Sequence, residues 1–150
     1  MNSLLVLRQL LVDEEAGVTT PGGEWRIFYN TMPAPGTQVH VHAILITQQP
    51  AAQEVPTQRQ VPGQGRMSDV YGFQVRVRAS SEAIAHTKAS DICNIFDSVA
   101  GRAITIDTTS YKLWSILRSG PPMVMGTDPA DPLAFHVSVN VKAARITPTT

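Results

Sequence analysis

His40 and His42 stand two residues apart, and in an extended strand that spacing puts both imidazoles on one face. Two histidines on one face can begin a metal site, but such a site takes three or four ligands of defined geometry. No Cys, Asp or Glu close by in the sequence completes the set. The pair therefore reads as two exposed strand histidines, and no metal is expected. His86 with Asp91, and His136 with Ser138, are the pairings around which a hydrolase could be imagined. That chemistry needs a nucleophile on a strained turn, a base and an oxyanion pocket. No G-x-S-x-G occurs in the chain, and no catalytic residue is expected. Gly63-Gln64-Gly65 is too little for a phosphate-binding loop, so no cofactor is expected either. Arg76 and Arg78 share one strand face, with Arg66 before them. Twelve basic residues balance twelve acidic ones, and a chain without a basic excess lacks the electrostatic footprint of nucleic-acid binding.

The rest of the composition points away from reactive chemistry. Cys93 is the single cysteine, so no internal disulfide can form. It falls in an apolar helical pattern, where a free thiol acts as a small hydrophobe, and it fits a reducing compartment. Leu4 to Val12 is apolar, but it has Arg8 in its middle, no basic leader and no small-residue cleavage site. It is also too short to span a bilayer. It reads as a short helix packed on a sheet or on a neighbouring subunit. Charged residues make up 16% of the chain, against about 25% in an average soluble domain. A surface with so little charge hints at oligomerisation.

The elements that must position these residues follow from periodicity. The first helix is expected over Ser3 to about Glu14, stopped by Gly17. Glu24 to Asn30 and Val39 to Thr47 are expected to form an antiparallel hairpin around Pro33-Ala34-Pro35-Gly36. Trp25, Ile27 and Tyr29 share a face of its first strand. Residues 48–69 carry three prolines, many glutamines and almost no apolar periodicity, and they read as a long extended loop or arm. Val70 to Ala79 alternates cleanly, with Tyr71, Phe73, Val75, Val77 and Ala79 on one face. A helix of about five turns is expected from Glu82 to Ala100, capped by Ser80 or Ser81 and ended by Gly101. Ala85, Ala89, Ile92, Phe96 and Val99 form its apolar stripe. Short strands at Ala103 to Asp107 and Tyr111 to Arg118 follow, then a brief extension at Met123-Val124-Met125. Leu133 to Ala143 is the last strand, and Ile146 to Thr150 is read as a polar tail. Trp25 and Trp114 are expected as packing anchors or as subunit contacts, and Met123 and Met125 as core or interface filler.

Three stretches carry a family resemblance. The first is Tyr71-Gly72-Phe73-Gln74-Val75-Arg76-Val77-Arg78-Ala79 running into a helix with Glu82 near its start. The second is Ser115-Ile116-Leu117-Arg118-Ser119-Gly120-Pro121-Pro122-Met123-Val124-Met125-Gly126-Thr127-Asp128, and the third is Phe135-His136-Val137-Ser138-Val139-Asn140-Val141-Lys142. With the element order, these resemble the tail terminator and minor tail (tail-completion) proteins of long-tailed bacteriophages. The resemblance covers residues 70–145; before that it rests on element order only. Asp128-Pro129-Ala130-Asp131-Pro132 departs from the charged, glycine-containing turn often found in similar proteins.

The resemblance implies a structural virion protein and no enzyme. Such a chain forms a ring, usually a hexamer, on the last ring of the tail tube. It ends tube polymerisation, meets the head-side connector, and lets genome DNA pass through its lumen without sequence-specific binding. The place implied is the tail or neck of the virion, assembled in the host cytoplasm, with no membrane partner. A head-completion, stopper or adaptor ring of the same joint is the nearest alternative. A small-ligand-binding or enzymatic α+β domain is the alternative of another class. The expected fold is one α+β domain over 1–150: a mostly antiparallel sheet with one long helix packed on it, a short N-terminal helix, and the long extended loop. Val55, Val61, Arg66, Met67, Arg76 and Arg78 are the candidate contacts to the tube or a neighbouring subunit.

Overall fold

The computed structural model describes residues 3–36, 39–49, 69–128 and 131–149. Their order is α1 (Ser3–Asp13), β1 (Arg26–Tyr29), β2 (Ala43–Gln49), β3 (Asp69–Ala79), α2 (Glu82–Asp97), β4 (Arg102–Ile106), β5 (Thr109–Arg118), β6 (Met123–Thr127) and β7 (Phe135–Thr149). The strands form one sheet in the order β1-β2-β3-β7-β5-β4, with β6 also paired to β7. β7 has fifteen residues and is long enough to serve three partners. One edge takes β3; the other takes β6 near Phe135 and β5 further on. Shifts in register mark both borders of β7 where the alternation changes phase.

The expected balance of helix and sheet is overturned. Strands hold 46% of the described residues, the sheet curls into a half barrel, and the helices are short, with no long helix packed across it. The physical reason lies at the helix end. Ser98 caps α2 after sixteen residues, its amide bonding back to the carbonyls of Asn94, Ile95 and Phe96. The apolar stripe continues through Val99, but the helix does not. Gly101 then turns the chain at φ +65°, where an L side chain is strained. Ser81 is the N-cap; its hydroxyl accepts from the Ile84 amide.

Curling follows from what the helices bury. The inner face of β3, with Phe73, Val75, Val77 and Ala79, joins Ile44, Ile46, Val137, Val139 and Val141 in one core. Ala85, Ala89, Ile92, Cys93 and Phe96 of α2 complete it from within the curl, as do Val6, Leu7, Leu10 and Leu11 of α1. α1 touches both β2 and β4, strands on opposite flanks of the sheet. A helix can do so only where the flanks approach each other. An ion pair between Glu14, just past α1, and Arg102 on β4 fastens that closure. α1 ends in a Schellman turn: the Ala16 amide bonds Leu11 and the Glu15 amide bonds Val12, with Glu15 left-handed at φ 59°.

The expected hairpin is also corrected. β1 and β2 pair in parallel, Arg26 opposite Ala43 and Tyr29 opposite Ile46. Parallel neighbours need a crossover rather than a tight turn, and residues 30–42 supply it. β2 begins only at Ala43, so His40 and His42 stand before the strand. Trp25 lies outside β1 in the left-handed region at φ 61°. The supposed polar tail is strand up to Thr149, with Ile146 fully buried. Gln48, Gln49 and Asp69 are strand residues. The remainder of the expected arm, residues 50–68, lies outside the described residues.

Candidate functional site

Three places hold side chains that packing alone does not explain. The first lies where β3 hands the chain to α2. Ser80 follows the last strand residue and precedes the N-cap, so the strand-to-helix turn holds its hydroxyl exposed. His42 Nε2 lies 3.1 Å from Ser80 Oγ, and His42 Nδ1 lies 2.7 Å from Glu24 Oε1. A carboxylate only accepts. In the neutral imidazole Nδ1 therefore carries the proton and Nε2 accepts from the Ser80 hydroxyl. The bond donated by His42 is the main reason the Glu24 carboxyl is held below the usual carboxylate range.

The imidazole is fixed from several sides. Trp25 stacks on it with centroids 4.8 Å apart and rings 19° from parallel. The Trp25 amide donates to the His42 carbonyl at 2.8 Å, and the His42 amide donates to His40 Nδ1 at 2.9 Å. A bulky residue with positive φ is a true outlier, and such strain tends to sit at functional sites. Here it turns the Trp25 ring onto His42. Beside this group opens a cleft of about 340 Å³ lined by Trp25, Ala83, Ile84, Thr87, Lys88 and Asp91. The Lys88 ammonium sits 4.8 Å over the Trp25 ring. Burial lowers its proton affinity, partly offset by Asp91 and Glu24.

The second place is the outer face of the sheet. Arg78, expected on a wet face, is only 1% exposed. Its guanidinium donates to the carbonyls of Pro33 at 2.6 Å, Val41 at 3.0 Å and His40 at 3.2 Å. Burial lowers its proton affinity, and Asp128 and Asp131 oppose that. Arg78 is thus a brace for the crossover that carries His40 and His42, and it is not available as a surface contact. Next to it His136 Nε2 meets Asp128 Oδ2 at 2.8 Å. Arg76 is half-buried, its Nε without a partner among the described residues.

The third place is the β5–β6 edge. The sheet has three margins. β1 is covered by Val18, which bridges Arg26 and exchanges bonds with Trp25 and Ile27. β4 packs against α1, and beyond its pairing with β5 it meets no other strand among the described residues. Outside β6 and the Ser115–Arg118 end of β5, no strand pairs among the described residues. Met123, Val124 and Met125 are 53%, 50% and 46% exposed, so neither face of β6 is covered. Leu117 on β5 and Leu133 in the nearby turn extend the apolar surface.

The pairings read from sequence separate in space. His86 and Asp91 both lie exposed on α2, five positions apart, which turns them to different faces. His136 engages Asp128, while the Ser138 hydroxyl is buried without a partner among the described residues. No three of His, Cys, Asp and Glu gather as a metal site among the described residues. Cys93 is buried as expected, and desolvation raises its thiol above the usual range. Trp114 is a half-exposed residue, not a core anchor; its Nε1 donates to Thr147 Oγ1 at 2.9 Å. Val55, Val61, Arg66 and Met67 lie outside the described residues. Sequence reasoning missed the Glu24–His42–Ser80 group because its members are 18 and 38 positions apart. The one local signal was a serine between a strand pattern and a capped helix. No helix among the described residues is long and apolar enough to cross a membrane. Comparison with protein-family models and with curated proteins finds no match.

Proposed function

We propose that this chain is a ring-forming structural subunit that caps a phage tail tube, ends its polymerisation and joins it to the head-side connector. The observation that carries the reading is the open β5–β6 edge. A strand with unpaired backbone and apolar side chains on both faces invites another chain. Among the described residues this margin gathers Leu117, Met123, Val124 and Met125, exposed large apolar side chains that β1 and β4 lack. If that edge meets a different surface of the neighbouring copy, the contact is head-to-tail. Head-to-tail contacts close into rings when the rotation allows. The tail-tube and connector partners, the six-fold count, passage of DNA and the virion location rest on the resemblance of residues 70–145 to tail terminators. A stopper or adaptor ring of the same joint would use the same edge.

The test is native mass and electron microscopy of the chain alone and with tail-tube protein. Closed rings, or rings seated on tube ends that stop growing, are expected. A chain that stays monomeric even with tube ends present overturns the reading.

A further inference from the structure

We propose that Ser80 is an activated nucleophile, with His42 as its base and Glu24 orienting that base, and that the group accepts acyl chains from small apolar esters. This goes beyond the ring reading and does not depend on it. The signature of an activated serine is a nucleophile within hydrogen-bond reach of a base that a third group holds in the correct tautomer. Both distances here, 3.1 Å and 2.7 Å, meet it. Ser80 sits at a strand–turn–helix junction that leaves the residue exposed, without the left-handed backbone strain found elsewhere in the chain at Trp25. α2 begins at Glu82, two residues past Ser80, and the amides of Glu82 and Ala83, like those of any first turn, have no intrahelical acceptor. They lie within three residues of the nucleophile, at the positive end of α2, where a developing oxyanion would be stabilised. Trp25, Ala83 and Ile84 give the adjoining cleft an apolar wall opposite Thr87, Lys88 and Asp91, against which a short acyl group could lie.

The step balances without a further reactant. Ser80 Oγ attacks the ester carbonyl as its proton passes to His42 Nε2. The tetrahedral intermediate collapses, the carbon–oxygen bond to the alcohol breaks, and His42 returns the proton to that alcohol. Water then attacks the acyl-serine by the same route, releasing the acid and restoring Ser80. Glu24 stays ionised throughout and stabilises the imidazolium.

The experiment exposes the full chain to an alkyl fluorophosphonate, with intact mass and peptide mapping as readout, and to p-nitrophenyl butyrate. One adduct on Ser80 is expected, with none on the neighbouring Ser81. His42→Gln should slow labelling about a hundredfold, the usual worth of a positioned base, and Glu24→Gln should slow it at least about tenfold through the wrong tautomer. Ser80→Ala should abolish nitrophenol release. Far-UV circular dichroism confirms the fold of each variant, and Glu24→Gln, at an exposed carboxylate, serves if His42→Gln misfolds. No adduct on the folded wild-type chain, or equal labelling in the folded base and carboxylate variants, overturns the proposal.

Discussion

Replacing Arg78 with Met should loosen the crossover that carries His40 and His42 more than it loosens the sheet. Arg78 is nearly inaccessible, and its three donors hold the carbonyls of Pro33, His40 and Val41 at 2.6–3.2 Å. Hydrogen bonds from a charged group contribute about 1.5–3 kcal/mol each. Three of them set an upper bound, and burying a guanidinium costs several kcal/mol in the other direction. Methionine keeps most of the buried stem and removes the charge, so the net loss should be about 3 kcal/mol. With a urea slope of about 2 kcal/mol/M, the midpoint should fall by about 1.5 M. Arg78→Lys keeps the charge but not the fork, and should recover only part of the loss. Hydrogen exchange separates a local effect from a global one. The Trp25 amide, bonded to the His42 carbonyl, should lose protection before the amides of β3. A loss below about 1 kcal/mol, with Trp25 exchange unchanged, would refute the brace: those carbonyls would then be served equally well by water.

Phe96→Ala should cost about 3–5 kcal/mol, because the ring is fully buried between α2 and the sheet; a urea midpoint shifted by less than about 0.5 M would contradict that packing. Val124→Lys should leave thermal stability nearly unchanged, as at other exposed positions, while removing ring or tube-end assembly in native mass; intact rings would acquit the β6 edge. Asp97 is held below the usual carboxylate range mainly by the hydrogen bonds from Arg118. Its folded value is depressed, so its stabilisation is complete above the unfolded carboxylate value and fades as pH falls through the folded one. The effect is modest because the carboxylate is half exposed. Asp97→Asn should therefore flatten the acid limb of a stability-against-pH curve, and an unchanged limb would count against the pair.

What was legible in the sequence was local. β3 alternates in the sequence, and Phe73, Val75, Val77 and Ala79 are buried along the expected face, while Tyr71, before the register shift, is only partly covered. Ser81, Glu82 and the Ala85–Phe96 stripe mark α2 almost to the residue at its start. What was not legible depends on distant partners. Parallel pairing of β1 with β2 is decided by the crossover, and the crossover is held by Arg78, thirty-seven positions beyond Val41. Alternation could not distinguish the wet side of a strand from a face covered by a loop, so Arg78 read as exposed. The end of β7 read as a tail because its apolar phase slips between Val141 and Ala144, where β5 changes register. The extent of helix was overestimated because apolar periodicity continues through Val99, while helical i−4 bonding ends at Ser98 and Val99 makes only an i−3 bond to Phe96.

The edge and the nucleophile can be tested without confusing one for the other, because the sheet separates them. One level of the sheet reads Arg26, Ala43, Arg78, His136 and Gly126 across β1, β2, β3, β7 and β6. Strands lie about 4.8 Å apart, so the β1 side and the β6 side are about 19 Å apart measured along the sheet at that level, and closer in a straight line across the curl. Glu24 and Trp25 directly precede β1, and His42 directly precedes β2. A subunit seated on Met123–Met125 therefore need not touch Ser80, and at such a separation mutational effects should add. Val124→Lys should abolish assembly and leave fluorophosphonate labelling intact, while Ser80→Ala should do the reverse. A Val124→Lys chain that also loses labelling would mean that the head-to-tail contact reaches across to the Trp25 side, making the serine site a product of assembly.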